Sequence, residues 1–254
     1  MKVVILCGGL GTRLREETEF RPKPMVPIGG RPILWHIMKH FAYHGYEEFY
    51  CALGYKGDVI KSYFHQYVAL EEDVTVDLSA STTTTHASVQ EAWRVHLIGT
   101  GAQTNTGGRV RRLRKYLGNE PFLLAYGDSV SNVDLAKLVA FHRAHGKTVT
   151  LTAVRPPSRF GEVDLNGNLV TAFVEKPNVG AGWINGGFMV IEPVFFDYLS
   201  DDATGMEVLA EVAENKELTA YRHEGYWQCM DTIRDKERLE SEWASGVPGW
   251  KVWE

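Results

Sequence analysis

The residues with chemical potential come in two groups, a glycine-rich loop with cations beside it and a pair of separated acids. Near the amino terminus, Ile5-Leu6-Cys7-Gly8-Gly9-Leu10-Gly11-Thr12-Arg13-Leu14 passes from apolar residues through glycines to an arginine, and Lys23 follows in the rigid segment Arg21-Pro22-Lys23-Pro24. A buried strand emptying into such a loop bares its backbone amides, and amides flanked by cations hold phosphate oxygens. Spacing separates the phosphate-binding patterns. A dinucleotide fingerprint requires glycine where Leu14 stands, and a Walker loop requires Gly-Lys-Ser/Thr where the chain has Arg13-Leu14-Arg15. What remains is a glycine loop closed by Thr12 and Arg13, with Lys23 downstream, and this suits a triphosphate.

Asp128, in Tyr126-Gly127-Asp128-Ser129, follows an apolar run and falls at the edge where open α/β sheets bind ligands. It is a candidate metal ligand, because Asp134 is better placed to cap the next helix. Asp231, in Trp227-Gln228-Cys229-Met230-Asp231-Thr232, lies between a strand and a helix and serves equally well as a ligand or as an N-cap. Two such carboxylates can hold one Mg²⁺, leaving its other positions to water and phosphate oxygens. In Val174-Glu175-Lys176-Pro177, Lys176 suits a phosphate and Glu175 sugar hydroxyls, with a surface turn as the plain alternative. Arg159-Phe160-Gly161 and Ile184-Asn185-Gly186-Gly187 offer close backbone approach and one amide side chain to a polyhydroxylated ring. Thr106-Gly107-Gly108-Arg109 opens a helix, where a glycine turn can lay amides against a base or phosphate. His36, His40 and His44 repeat at helical spacing, but no carboxylate or cysteine completes a metal set. The basic run from Arg109 to Lys115 reads as a solvated helix face, given the net charge of −5.

These residues need a scaffold, and 254 residues with 44% hydrophobic and 23% charged content describe one sizeable globular domain. No apolar run approaches the roughly 20 residues of a membrane span, and no signal peptide is visible, so a cytoplasmic protein is expected. Cys7, Cys51 and Cys229 lack C-x-x-C spacing and read as buried thiols. Strands at 3–6 and 48–53 alternate with helices at 32–41 and 58–67, a β-α-β-α order that implies a parallel sheet with helices on its faces. Strands at 74–78 and 94–98 flank a Ser/Thr-rich stretch, 79–90, which reads as a mobile loop or an oligomer contact. A helix at 107–117, a strand at 122–126, a helix at 134–144 and a strand at 149–154 continue the sheet. From 160 to 191 the pattern shortens, with turns at Asn166-Gly167-Asn168 and Lys176-Pro177-Asn178, and predicts a smaller mixed or antiparallel lobe. A helix at 206–215, a strand at 218–222 and a helix at 232–244 finish the chain.

In order, GGLGTRL, RPKPM, GGRPILWHIMKH, GYKGDVIKSYF, TGGRV, YGDSV, RFGEVD, VEKP, INGGF and YWQCMDT resemble the sugar nucleotidyltransferase family. GYKG, TGGR and WQCMDT followed by RDK point to its glucose-1-phosphate cytidylyltransferases. The resemblance implies a Rossmann-like, mostly parallel α/β sheet flanked by helices, with a smaller mixed-strand sugar-binding lobe. In one domain, 1–254, the nucleotide-binding part would span about 1–155, the lobe about 156–231, and the C-terminal helix and tail 232–254. It implies CTP and a sugar 1-phosphate as substrates, Mg²⁺ on Asp128 and Asp231, and neither nucleic acid nor membrane as partner. It assigns nucleotide contacts to Leu6, Gly8, Gly9, Gly11, Thr12, Arg13, Lys23, Thr106 and Arg109. Sugar-phosphate contacts fall to Gly161, Glu175, Lys176, Asn185 and Gly186, and the catalytic set is Arg13, Lys23, Asp128 and Lys176. It further implies a homohexamer and a product bound for deoxysugar synthesis. Another base, another phosphate acceptor, or a non-catalytic sugar-nucleotide sensor are the alternatives. Two departures stand out: the segment 201–209 is a residue or two shorter than the family's, at a place that bears on sugar choice, and Ser129 follows the metal aspartate.

Overall fold

A run as apolar as 3–7 is stable as a strand only where both of its faces are covered. The computed structural model describes residues 1–71, 73–86, 91–156, 162–174 and 182–253. It places this run as β1 (Val3–Cys7) inside a seven-stranded sheet. Next come the short helix α1 (Arg15–Thr18), the small pair β2 (Pro27–Ile28) and β3 (Arg31–Pro32), then α2 (Ile33–Tyr43), β4 (Glu48–Leu53), α3 (Gly57–His65) and α4 (Tyr67–Glu71). β5 (Val74–Asp77) and β6 (Thr82–Thr85) form a hairpin before β7 (Arg94–Gly99). The middle of the chain supplies α5 (Thr106–Leu117), β8 (Phe122–Tyr126), β9 (Ser129–Ser131), α6 (Leu135–His145) and β10 (Val149–Val154). A second hairpin, β11 (Glu162–Asn166) and β12 (Leu169–Val174), precedes β13 (Ile184–Ile191), α7 (Val208–Glu214), β14 (Leu218–His223), β15 (Trp227–Cys229) and α8 (Ile233–Ala244).

The sheet order is β14-β10-β13-β8-β1-β4-β7. β1 runs parallel to β4 and β8, and β10 parallel to β14, while β13 is antiparallel to both of its neighbours. The chain leaves β1 for β4 on one side and later reaches β8 on the other, so a crevice opens at the carboxyl end of β1. The glycine loop emerges there. On one face, Ile33 and Phe41 of α2 and Leu239 of α8 pack around Val3 and Ile5. On the other, Val110 and Leu113 of α5 and Val212 of α7 pack around Val4 and Leu124. Burying each such side chain stabilises by about 1.5–3 kcal/mol, and Val3, Val4 and Ile5 are all fully buried. The loop therefore hangs from a firmly anchored strand.

Asp134 caps α6 through the Lys137 amide, as its position in the sequence predicts. The stretch 79–90 differs from expectation. Thr82–Thr85 pairs antiparallel with Val74–Asp77, because β-branched threonines favour a pleated backbone even where every side chain stays exposed; 87–90 lie outside the described residues. Among the described residues of 156–231, β13 and β14 are woven into the main sheet and β15 pairs with β9, while β11 and β12 pair only with each other, as a hairpin with its turn at Gly167-Asn168. The turn expected at Lys176-Pro177-Asn178 lies outside the described residues. Among the described residues no helix is long and apolar enough to cross a membrane.

The helical histidines hold backbone. His36 Nε2 lies 2.9 Å from the Ile28 carbonyl among the rings of Trp35, Trp243, Trp250 and Trp253, and His40 Nε2 lies 2.9 Å from the Val133 carbonyl. Burial lowers both to about 4, so each is a neutral ring donating to a carbonyl. Cys7 and Cys51 are buried thiols, and Cys229 is half-buried.

Candidate active site

Gly11 holds the glycine loop in shape. Its φ is +64°, and a Cβ there would stand 2.6 Å from the Thr18 methyl. The Thr18 hydroxyl donates to the carbonyls of Gly11 (3.1 Å) and Leu14 (3.0 Å), so α1 pins the loop it follows. Beneath the loop lies a cavity of about 520 Å³, a volume within the range of small-molecule sites. Gly8, Gly9, Gly11, Thr12 and Arg13 line one wall, and Lys23 and Asp128 the base. Leu6, Thr106 and Arg109 also reach it, so the residues assigned to the nucleotide converge on one space.

At its base, Lys23 bridges the two acids. Pro22 and Pro24 stiffen the turn that buries it, and its Nζ lies 2.7 Å from Asp128 Oδ2 and 2.5 Å from Asp231 Oδ1. Burial works to lower the Lys23 pKa, but Asp128 and Asp231 outweigh it and raise the ammonium above the ordinary lysine range. Arg13 reaches the other oxygen of Asp231 at 2.7 Å and is 71% exposed. The Ser129 hydroxyl donates to Asp128 Oδ1 at 3.1 Å, so the departure at that position adds a hydrogen bond.

Asp231 is not the cap of α8. Thr232 is, accepting from the Asp235 amide, while the Asp235 carboxylate receives the amides of Asp231 (3.0 Å) and Thr232 (2.9 Å). This capping box fixes the backbone on which Asp231 projects and leaves the Asp231 carboxylate for cations. Asp128 and Asp231, 103 residues apart in numbering, therefore face one point, where an ammonium now sits. Two hard carboxylates on a shared point fit Mg²⁺, which takes one or two protein carboxylates and completes its shell with phosphate oxygens and water. Among the described residues no group of three or more His, Cys, Asp or Glu surrounds such a point, so the site supplies only part of a shell.

Arg109 behaves differently from the expectation drawn from its glycine turn. The residue is 5% exposed, and its guanidinium donates to the carbonyls of Gly8 (2.9 Å) and Gly101 (2.6 Å) and to the Thr100 hydroxyl (2.9 Å). Gly8 and Gly54 lie against it, and a Cβ on either would fall within 2.3 or 2.4 Å of guanidinium atoms. Arg109 thus ties the β1, β4 and β7 loops together beneath the cavity. The Gly108 amide is likewise spent, on the Thr204 carbonyl, and a Cβ on Gly108 would meet the Asp202 carbonyl at 2.6 Å. Gly108, with Gly107 against the Thr204 and Gly205 carbonyls, admits the segment 201–209, which Arg112 also grips through Asp202 (2.8 Å).

On the other side of the cavity, the Asn185 amide donates to the Tyr126 hydroxyl (3.2 Å), and Trp227 Nε1 donates to the Gly186 carbonyl (2.8 Å). Gly161, Glu175 and Lys176 lie outside the described residues. Sequence reasoning missed Tyr126, which links the two halves, and Asp235, although Thr232-x-x-Asp235 is a legible capping pattern.

The nucleotidyl transferase family model matches residues 2–235. The chain is 48% identical to glucose-1-phosphate cytidylyltransferase of Salmonella typhimurium over 257 residues, covering 100% of both chains. It is 41% identical to the probable glucose-1-phosphate cytidylyltransferase of Bacillus subtilis, again covering 100% of both. Among solved structures, a UDP-glucose pyrophosphorylase complexed with UDP-glucose matches with a TM-score of 0.68 at 17% identity, covering 96% of this chain and 98% of that one, a likeness of fold. With a phosphate-shaped loop, paired acids and full-length relatives in agreement, the chain belongs to the nucleotidyl transferase family.

Proposed function

We propose that the protein transfers a cytidylyl group from CTP to α-D-glucose 1-phosphate, releasing pyrophosphate and CDP-glucose. The observation that carries this reading is Lys23 bridging Asp128 and Asp231 at the base of the glycine-loop cavity, in a chain 48% identical over its full length to a glucose-1-phosphate cytidylyltransferase. A sugar-phosphate oxygen attacks the α-phosphorus in line; it is already ionised at neutral pH, so the site needs no general base. What the chain must supply is position and positive charge. The amides from Gly8 to Thr12 cradle the triphosphate, and Lys23 and Arg13, released from the carboxylates, neutralise the departing pyrophosphate. Asp128 and Asp231 would hold Mg²⁺, which when bound screens the phosphate charges. By resemblance, Lys176 and Glu175 orient the sugar phosphate with Asn185 and Gly186, and Thr106 lies near the nucleotide. Homohexameric assembly, a cytoplasmic setting and supply of deoxysugar synthesis are part of the same reading.

The test is pyrophosphate release with a panel of CTP, UTP, GTP and dTTP against glucose 1-phosphate and mannose 1-phosphate. CTP with glucose 1-phosphate should exceed every other pair by roughly tenfold or more in kcat/KM. A different preferred pair overturns the reading.

A further inference from the structure

The hydrogen bonds that join β13 to the end of β8 have a fixed direction. The Gly187 amide can only donate, and it donates to Asn185 Oδ1 at 2.9 Å. That contact settles which end of the Asn185 amide is oxygen, so it is the nitrogen that faces the Tyr126 hydroxyl, at 3.2 Å. The nitrogen donates as well, and the phenol oxygen accepts. The Tyr126 proton is left over: it meets no acceptor among the described residues.

The ring that carries this proton is held in place. Phe188 pairs with Ala125 across the antiparallel strands, which sets Gly187 beside Tyr126. Gly187 has a φ of +79°, and a Cβ there would stand 2.9 Å from the Tyr126 ring, so glycine alone lets the ring lie this close to β13. The Gly186 carbonyl accepts from Trp227 Nε1 at 2.8 Å, which ties the same stretch of chain to β15. Burial raises the Tyr126 pKa and the nearby Asp128 charge adds to the rise, while the Asn185 bond offsets only part of it. The phenol therefore keeps its proton at neutral pH.

Tyr126 and Asp128 line the same cavity, and Asn185 bonds to Tyr126 from the sugar side. A sugar 1-phosphate with its ring at Asn185 and its phosphate toward Asp128 thus brings that phosphate past the Tyr126 hydroxyl. We propose that Tyr126 donates its free hydroxyl proton as a hydrogen bond to a non-attacking oxygen of the acceptor's anomeric phosphate, and that Asn185 is the positioning residue that aims it. The inference rests on the cytidylyl transfer proposed above. A hydroxyl bonded to an ionised phosphate makes a charge-assisted contact, and fixing one oxygen turns another toward the α-phosphorus. No proton is transferred. CTP does not draw on this donor, because in-line attack sends its pyrophosphate away from the sugar, toward the glycine loop.

The experiment measures pyrophosphate release by the wild type, Tyr126→Phe and Asn185→Asp, with glucose 1-phosphate varied at saturating CTP and then CTP varied at saturating glucose 1-phosphate. Isothermal titration of each protein with CTP and with CDP-glucose, which retains the acceptor's phosphate, accompanies it. Tyr126→Phe should raise the KM for glucose 1-phosphate roughly tenfold and weaken CDP-glucose binding by a similar factor, while the KM and affinity for CTP change by less than about twofold. Asn185→Asp should raise the glucose 1-phosphate KM at least as far, because its second carboxylate oxygen takes the phenol proton away from the substrate. Wild-type constants in Tyr126→Phe, or equal losses for both substrates, overturn the donor. A wild-type KM in Asn185→Asp overturns the aiming role of Asn185. If the wild type gives no pyrophosphate from CTP and glucose 1-phosphate, the proposed function fails instead, and the titration with CDP-glucose still decides the donor.

Discussion

The centre and the flank of one strand edge treat their cations in opposite ways. At the centre, below the carboxyl ends of β1 and β8, Lys23 and Arg13 are paired with acids and Arg109 is saturated by carbonyls. At the flank, beyond β10 and β14, Arg155 and Arg222 share an indole and no acid among the described residues. Burial explains the contrast. Lys23 is 8% exposed, and an ammonium so enclosed persists only with counter-charges, whereas exposed guanidiniums keep their water. A ligand arriving at the centre must exchange partners, while one arriving at the flank need only displace solvent.

The strongest way to break this contrast is at the paired acids. Asp128→Asn should lower the rate of pyrophosphate release by roughly a thousandfold or more, the scale of losing metal-assisted charge stabilisation. Asp231→Asn should behave alike, and the double variant should be little worse than either, because groups sharing one ion do not add. Wild-type rates for both single variants at limiting Mg²⁺ would remove the metal role from this pair. Next comes the pair of central cations. Lys23→Ala should reduce kcat by about 10²–10³, the loss seen when a preorganised charge-stabilising group is removed. Arg13→Ala should cost less, because its side chain is 71% exposed and its charge is screened by solvent. Equal losses would show that burial does not set their rank.

The scaffold under the centre predicts a pH dependence. His36 and His40 are lowered to about 4 in the fold, so the folded state binds fewer protons than the unfolded chain. Their stabilisation is complete above the unfolded value near 6.5 and is lost as pH falls from there toward 4, each worth on the order of 3 kcal/mol at full effect. Urea unfolding at steps from pH 7.5 to 4.5 should show that decline, and a flat profile would mean the rings stay solvated. Gly108→Ala should destabilise by about 1–3 kcal/mol, since its Cβ meets backbone at Asp202; an unchanged urea midpoint would show the segment 201–209 yielding freely. The smallest effect belongs to the flank, where Arg222→Gln should change unfolding free energy by less than about 1 kcal/mol, as befits an exposed cation–π contact. A larger loss would make the stack a structural element.

How much was legible depended on the range of the interaction. The strands Glu48–Leu53, Phe122–Tyr126 and Val149–Val154 match their expected bounds because continuous apolar runs report burial directly. Thr82–Thr85 did not read as a strand, since its pairing with an equally exposed neighbour leaves no apolar alternation to see. Asp128 stood out as an acid past a buried strand, but that Asp231 is not the helix cap became visible only where Asp235 and Thr232 close the cap between themselves.

The amino-acid sequence alone determined the β-α-β-α order, the glycine loop that neither a dinucleotide nor a Walker pattern explains, and residue types suited to phosphate, because each follows from neighbours a few positions apart. Tertiary structure decided what long-range geometry controls. It gave the guanidinium of Arg109 to loop carbonyls and the Gly108 amide to the Thr204 carbonyl, and it brought Arg155, just past β10, and Arg222 of β14 against the ring of Trp183, just before β13. A donor's partner is settled by whichever acceptor the fold brings within about 3 Å, and no local pattern encodes an acceptor a hundred residues away.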